Sequence, residues 1–278
     1  MAFLATASYF EKPPARDRDE ASPTRVTLAG GRMDLVTPAE VLAFAARRAA
    51  HGGKAYIANH NAHSLSLLPR SAEMRAAYAE ADLIEVDSVP LIFWGRLLGL
   101  PIQRRHRCTY LDWRDEFWRM AAAHRWRVYM LGAAPGVAER AAERLRQAWP
   151  GVVIITRHGH FDLDDAAANE AIVAEINLIK PHAILVGMGM PRQEAWVARC
   201  YARLQSGVVF TVGGAFDYEA GVQVPAPRWL GPLGLEWLFR LACNPGRLAH
   251  RYLVEPWSLV PAMAKDVVAS LRGRVFKA

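Results

Sequence analysis

The chain has 278 residues, of which 52% are apolar and 22% charged. That profile excludes a disordered or fibrous chain and is long enough for one large α/β domain, or one domain plus an appendage. A formal net charge of +7 with histidines neutral suits nucleic acid, anionic lipid or phosphorylated small molecules. No zinc-finger spacing, basic-region heptad or RNP-like aromatic motif accompanies it, so no nucleic-acid partner is expected.

The N-terminal MAFLATASYFEKPPARDRDE lacks a basic leader followed by a long apolar run, so no signal peptide is expected. Residues 1–24, with Pro, Asp, Glu and Arg crowding their second half, read as a flexible lead-in. From residue 25 to 221, strand-like runs alternate with helical patterns. In chain order these are PAEVLAFAARRAA (helix), KAYIAN (strand), ADLIEVD (strand), SVPLIFWGRLLG (helix), Asp112 to His124 (helix) and RVYMLG (strand). PGVAERAAERLRQAW (helix), GVVIIT (strand), NEAIVAEINLI (helix), HAILVG (strand) and VVFTVGG (strand) follow. Most strand candidates are continuous apolar runs, as expected of strands covered on both faces. The alternation predicts a Rossmann-like, mostly parallel sheet with crossover helices, binding its ligand beyond the carboxyl ends of the strands.

Residues 222–278 contain no clear strand and read as a helical appendage of two or three helices, broken near Asn244-Pro245 and Glu255-Pro256. Trp229, Trp237 and Trp257 fall there beside arginines. That mixture fits a membrane surface or an extended anionic ligand, and equally ordinary helix packing. No stretch reaches the ~18 uninterrupted apolar residues of a spanning helix, which predicts a soluble or peripheral protein. Cys108, Cys200 and Cys243 are widely separated and odd in number, which fits a reducing cytoplasm.

Several strand ends carry candidate chemistry. Asp87 closes ADLIEVD before an apolar helix, so it serves either as a general base or as that helix's N-cap. Asn59, His60, Asn61 and His63 cluster on the turn after KAYIAN, where asparagines bind sugar hydroxyls or cap a helix; no metal set is formed by the histidines. Three glycine turns, LGAAPG, GMGMPRQE and VGGAFDYEAG, offer backbone amides to a diphosphate. None is GxGxxG, which weakens a dinucleotide reading. In GMGMPRQE, Gly189 admits a ligand, Pro191 starts a helix, and Arg192 either offers donors to phosphate or sugar oxygens, as Gln193 does, or is simply solvated. The D-x-D of FDLDD could hold a metal, but Asp164 or Asp165 reads more simply as an N-cap.

Three segments together resemble one family: LVGMGMPRQEAWVA, VGGAFDYEAG and LGLEWLFRLACNPGRLAHRYL. They match, in order and spacing, a glycine turn with Pro-x-Gln-Glu, a Gly-Gly-x-Phe-Asp, and a Leu-Glu-Trp-x-x-Arg-Leu followed by Pro-x-Arg and Arg-Tyr. On these residues the chain is similar to the WecG/TagA/CpsF glycosyltransferases, from about Val26 to about Leu253. The resemblance implies an inverting transfer of a hexose-type sugar from a UDP-sugar to a polyprenyl-diphosphate-linked saccharide in cell-surface or exopolysaccharide assembly. It implies no cofactor and no metal, and a place on the inner face of the cell membrane, where the basic appendage would meet anionic lipid. It carries over Asp87 as the base, Asn59 and Asn61 as sugar contacts, and Arg107 with Asp112 as a substrate pair. Gln193, Glu194 and Asp217 fall on the donor side, and Arg240, Arg247 and Arg251 on arginines that close over the diphosphate.

Three positions depart from the family pattern: Ser88 for the glycine after the base, Tyr110 for a glycine between Arg107 and Asp112, and Pro225-Ala226-Pro227 for Arg-Ala-Pro. They lie where the sugars are expected, so the donor is left open among N-acetylmannosamine, glucose, glucuronate and other hexoses. Homo-oligomer formation is left open too. Two competing readings are a non-enzymatic membrane- or polyanion-binding adaptor using the appendage alone, and a nucleotide-dependent oxidoreductase on the same sheet.

Overall fold

A computed structural model describes residues 23–275. The lead-in predicted for residues 1–24 falls, but for its last two positions, outside the described residues. The chain opens with an antiparallel hairpin, β1 (Arg25–Leu28) and β2 (Gly31–Asp34). Its turn is Ala29-Gly30, both at positive φ (48° and 80°). Then come α1 (Pro38–Ala50), β3 (Lys54–His60), α2 (Ala62–Leu67), α3 (Ala72–Glu80), β4 (Leu83–Val86) and α4 (Val89–Leu97). They are followed by α5 (Tyr110–Ala123), β5 (Arg127–Gly132), α6 (Val137–Ala148), β6 (Val153–Arg157), α7 (Ala166–Ile179), β7 (Ala183–Gly187), α8 (Arg192–Cys200), β8 (Gly207–Thr211) and α9 (Ala215–Glu219).

β3 to β8 are the six runs read from the sequence, and they form one parallel sheet in the order β4-β3-β8-β7-β5-β6. Alternate side chains of each strand leave on opposite faces. Val128 and Met130 of β5 pack with Leu185 and Phe210 under α1, α5 and α6, where Trp113, Phe117 and Trp118 fill the layer. Tyr129 and Leu131 face the other way, with Val186 and Val209, onto α3, α7 and α8, around Met74, Ile172 and Trp196. Strands covered twice have no polar face to keep wet, which is why β4, β7 and β8 are buried along their whole length.

Local signals set the helix starts. At α1, Glu40 N donates to Thr37 Oγ1 (3.3 Å) and Thr37 N to Glu40 Oε2 (2.7 Å), with Pro38 at the first turn. Asp165 caps α7 by accepting from Ala167 N (2.9 Å) and Ala168 N (3.0 Å). Of the D-x-D aspartates, Asp162 accepts from Asp164 N and Asp164 pairs with Arg199.

The segment after Gly221 is helical, as read, but among the described residues it has four α-helices rather than two or three helices: α10 (Leu230–Leu233), α11 (Glu236–Cys243), α12 (Pro245–Ala249) and α13 (Val260–Val275). Gly234 (φ 72°) ends α10 after one turn, and Pro245, unable to continue α11, starts α12. The break near Glu255-Pro256 is a π-helical turn, His250–Val254, followed by 3-10 turns, Glu255–Leu259, before α13. Asp266 of α13 accepts from Ala29 N (2.7 Å) and Trp94 Nε1 (3.1 Å), and Ser270 Oγ donates to Leu98 O (2.9 Å). α13 is thereby fixed to the hairpin turn and to α4.

Candidate active site

A cleft of about 1060 Å³ lies across the carboxyl ends of all six parallel strands, with α11, α12 and the turns after them on its far side. This is where open parallel sheets bind ligands, because the loops leaving the carboxyl ends diverge where the order of successive strands reverses. Eight of the eleven residues singled out from the sequence line it: Asn59, Asn61, Asp87, Gln193, Asp217, Arg240, Arg247 and Arg251. Arg107, Asp112 and Glu194 stand behind its walls.

β4 delivers Asp87 to the floor. The N-cap position of α4 is occupied by Ser88, so the Asp87 carboxyl is left to the cleft rather than to the helix. Burial raises its pKa to about 6, against the pull of Arg107 and Arg240 and a hydrogen bond from Asn61. Asn61 itself caps α2, accepting from Ser64 N at 3.1 Å. The sugar-binding and capping readings of this asparagine therefore fall on one side chain, held by the cap and turned towards Asp87. Asn59 is fixed by donating to Thr211 O (2.6 Å).

The opening of α8 forms the wall beside β8. Gln193 is fully buried; Gly213 N donates to its Oε1 (3.0 Å) and its Nε2 donates to Glu194 Oε1 (2.8 Å). It ties the glycine turn after β7 to the glycine turn after β8. Glu194 is fully buried as well; burial lifts its pKa to about 7, opposed by Gln193 and by Arg251. Gly189 has φ 75° with nothing within 4 Å of a would-be Cβ, so its backbone faces open space. At Gly132 a Cβ would lie 2.3 Å from Gly187 O, so the turns after β5 and β7 meet backbone to backbone. Arg192 is not a solvated flank: it donates to Gly159 O (2.9 Å) and to Phe161 O, clamping the loop after β6. Of the LGAAPG turn, Ala133 and Ala134 reach the cleft, whereas α6 itself does not line it.

The side chains of Arg240, Arg247 and Arg251 make no hydrogen bond or ion pair to another described residue. Their charges bear on acids of the core: Arg240 lowers the pKa of Asp87, Arg247 that of Asp217 and Arg251 that of Glu194, and Arg251 also interacts with Asp87. For Asp217 burial is the larger influence and the net shift is upward. Three cationic side chains with donors unspent, above glycine-turn amides, make an anion cradle. Among the described residues no group of three His, Cys, Asp or Glu side chains is placed to hold a metal ion.

The chain matches the sequence model of the glycosyl transferase WecG/TagA/CpsF family over residues 26–273. It belongs to that family. Among curated proteins it is similar to the N-acetylglucosaminyldiphosphoundecaprenol N-acetyl-beta-D-mannosaminyltransferases of Staphylococcus aureus strains NCTC 8325 / PS 47 and COL. Each is 31% identical over 197 residues, covering 67% of this chain and 75% of the relative.

Within this family member, Arg107 and Asp112 form an ion-pair network rather than part of the cleft lining. Arg107 pairs with Glu236 of α11 (2.6 Å) and lies 3.6 Å from Asp112, which pairs in turn with Arg228 (2.6 Å). The network ties α5 to the appendage just outside the cleft. A second tie, His63 to Glu255, joins α2 to the turns before α13. Tyr110, in place of the family glycine, is buried; it donates to Glu219 Oε1 (2.6 Å), which Arg114 also holds. Apart from Arg107 with Asp112, which the sequence already offered as a pair, these ties were not singled out, because their partners lie ~100 or more positions apart and only folding brings them together. Glu85 was not singled out either, although a charged residue inside an apolar strand run is a visible anomaly.

Proposed function

We propose that the chain transfers a hexose-type sugar from a UDP-sugar to a saccharide carried on polyprenyl diphosphate, inverting the anomeric centre, with Asp87 as general base. The observation that carries this reading is the pairing of Asp87, at the end of β4, with three unspent arginines across the same cleft. The relatives' printed substrate, a lipid diphosphate bearing N-acetylglucosamine, supports a lipid-linked acceptor here.

In this reading the Asp87 carboxylate accepts the proton of an acceptor hydroxyl as its oxygen bonds to the anomeric carbon. The bond from that carbon to the UDP oxygen breaks, and UDP leaves with the electron pair. Asn61 orients the carboxylate. A pKa of about 6 leaves Asp87 mostly ionised at neutral pH, yet basic enough to take a proton. Glycine-turn amides and Arg240, Arg247 and Arg251 meet the charge that grows on the diphosphate. Donor recognition falls to Gln193 and Asp217 over β7 and β8. The chain works at the inner face of the cell membrane, with α10 to α13 resting on anionic lipid. Trp229 (65% exposed), Trp257 (74%) and Leu233 (59%) offer apolar surface there, beside the exposed Arg228, Lys265 and Arg272. No helix among the described residues is long and apolar enough to cross a membrane.

The test is UDP release from a panel of UDP-sugars in chelator, with and without short-chain polyprenyl-diphosphate N-acetylglucosamine. Acceptor-dependent release from one donor is the expected result. Silence across the panel, with no UDP binding, would reject the transferase reading in favour of the adaptor.

A further inference from the structure

Glu85 is a carboxyl with 3% of its surface exposed, on the strand that carries Asp87. Asp87 follows that strand directly and its N donates to His60 O (2.8 Å), so the extended pairing runs on, the two side chains, two positions apart, leave on the same face, and both line the cleft. Trp113 Nε1 donates to Glu85 Oε1 at 3.1 Å. Glu85 Oε2 takes no hydrogen bond within the described chain and is not among the wholly enclosed orphan atoms, so it opens to the cleft. In register beside Glu85, on β3, stands Asn59.

A carboxyl so enclosed, with no cation paired to it, is costly as an anion and well suited as a neutral donor. Burial, and after it the neighbouring Asp87, push its pKa well above the ordinary carboxylate range. Its two oxygens then divide the work: Oε1 accepts from the indole of Trp113, and the Oε2 hydroxyl has one hydrogen to give into the cleft. The glycine turns and arginines that suit a diphosphate lie over β7, β8 and the appendage, so the sugar end of a donor falls over β3 and β4.

Resting on the transferase reading above, we propose that Glu85 is a specificity-determining residue, donating a hydrogen bond to a free hydroxyl of the transferred sugar and selecting UDP-hexoses over UDP-N-acetylhexosamines. Glu85 has 3% of its surface exposed, so a single sugar hydroxyl can reach its hydrogen, whereas the bulk of an acetamido group is held off and leaves that hydrogen without a partner. Sites built around such a bond discriminate strongly, because the group left unpaired is inside the protein.

The experiment compares kcat/KM for UDP-glucose, UDP-galactose and UDP-glucuronate with that for UDP-N-acetylhexosamines, using the full chain and one short-chain acceptor. Wild type is expected to favour a free-hydroxyl donor. Glu85→Gln, whose amide still donates, should hold that preference within about 3-fold. Glu85→Leu should reduce it by about 10- to 100-fold, chiefly through the donor KM. If Glu85→Leu does not fold, Glu85→Met takes its place. Wild type preferring an N-acetylhexosamine, an unchanged preference in the apolar variant, or a loss in Glu85→Gln equal to that in Glu85→Leu would each overturn the assignment. A preference that moves with the acceptor sugar and not the donor would overturn it as well. Failure of the underlying reading looks different: wild type itself then releases no UDP from any donor.

Discussion

Trp196 and Trp257 divide the molecule between them. Trp196 is wholly enclosed between the sheet and α8; Trp257, in the turns before α13, is 74% exposed. The sheet core spends its apolar residues on itself, in layers on both faces. The appendage leaves Leu233, Leu238, Leu253, Val254 and Leu271 largely in the open, and α11 buries no residue fully. It holds to the core through ion pairs and a few hydrogen bonds, Arg107–Glu236, Arg228–Asp112, His63–Glu255 and the Asp266 contacts, and through one small apolar seat, where Leu259, Ala262 and Met263 pack with Leu28, Leu91 and Ile92. The core is thus stable by packing in full layers, whereas the appendage is positioned by charge and that one seat and leaves much of its apolar surface exposed. The cleft between them takes the Asp87 carboxyl from one and Arg240, Arg247 and Arg251 from the other.

That contrast is open to several measurements. Trp196→Ala should cost about 3–5 kcal/mol of unfolding free energy, because the enclosed site cannot collapse around the loss; denaturant titration reads it, and a cost under about 1 kcal/mol would mean a looser core. Asp87→Asn should lower kcat by about 100- to 10,000-fold with little change in Tm. In wild type the rate should fall as pH drops through about 6, because protonation removes the base.

Glu194 gives a pH-dependent stability of opposite sense. Its folded carboxyl, with pKa about 7 against the ordinary 4.5, binds a proton more tightly than the unfolded one. Its contribution is complete below the unfolded value and is lost as pH rises through the folded one, by up to about 3 kcal/mol. Glu194→Gln should flatten that fall, and parallel Tm curves for the two proteins between about pH 5 and 8 would contradict it. Across the boundary, a double-mutant cycle of Arg107→Ala and Glu236→Ala should return about 1–2 kcal/mol of coupling, and none would mean that the network does not hold the appendage. Trp257→Ala should change stability by less than about 0.5 kcal/mol while weakening sedimentation with anionic vesicles; unchanged sedimentation would remove Trp257 from the docking face.

How much of this was legible in the sequence follows the same division. The six strands of the parallel sheet announce themselves because burial on both faces demands unbroken apolar runs such as AILVG. The cleft at their carboxyl ends follows from chain direction alone. The β1–β2 hairpin does not announce itself: RVTL and GRMD are four residues each, alternating and partly charged, too short for a period to stand out. Roles that depend on long-range pairing were equally hidden. Arg107 and Asp112 were readable as charged residues near the site, but not as the anchor for Glu236 and Arg228. Arg192 looked like a surface charge because nothing local reveals that the carbonyls of Gly159 and Phe161 converge on it.

The hairpin has a further consequence. β4 is the last strand of the parallel sheet, and such a strand offers unpaired amides to any other extended chain. Here Asp34, fully buried at the end of β2, accepts from Ile84 N (2.9 Å) while Arg25 holds both its oxygens. The rim is stoppered by a side chain rather than by another ladder. An edge amide of the strand that leads to Asp87 is thereby closed to pairing with another extended chain, so the smaller of the two sheets among the described residues shields the strand that enters the cleft.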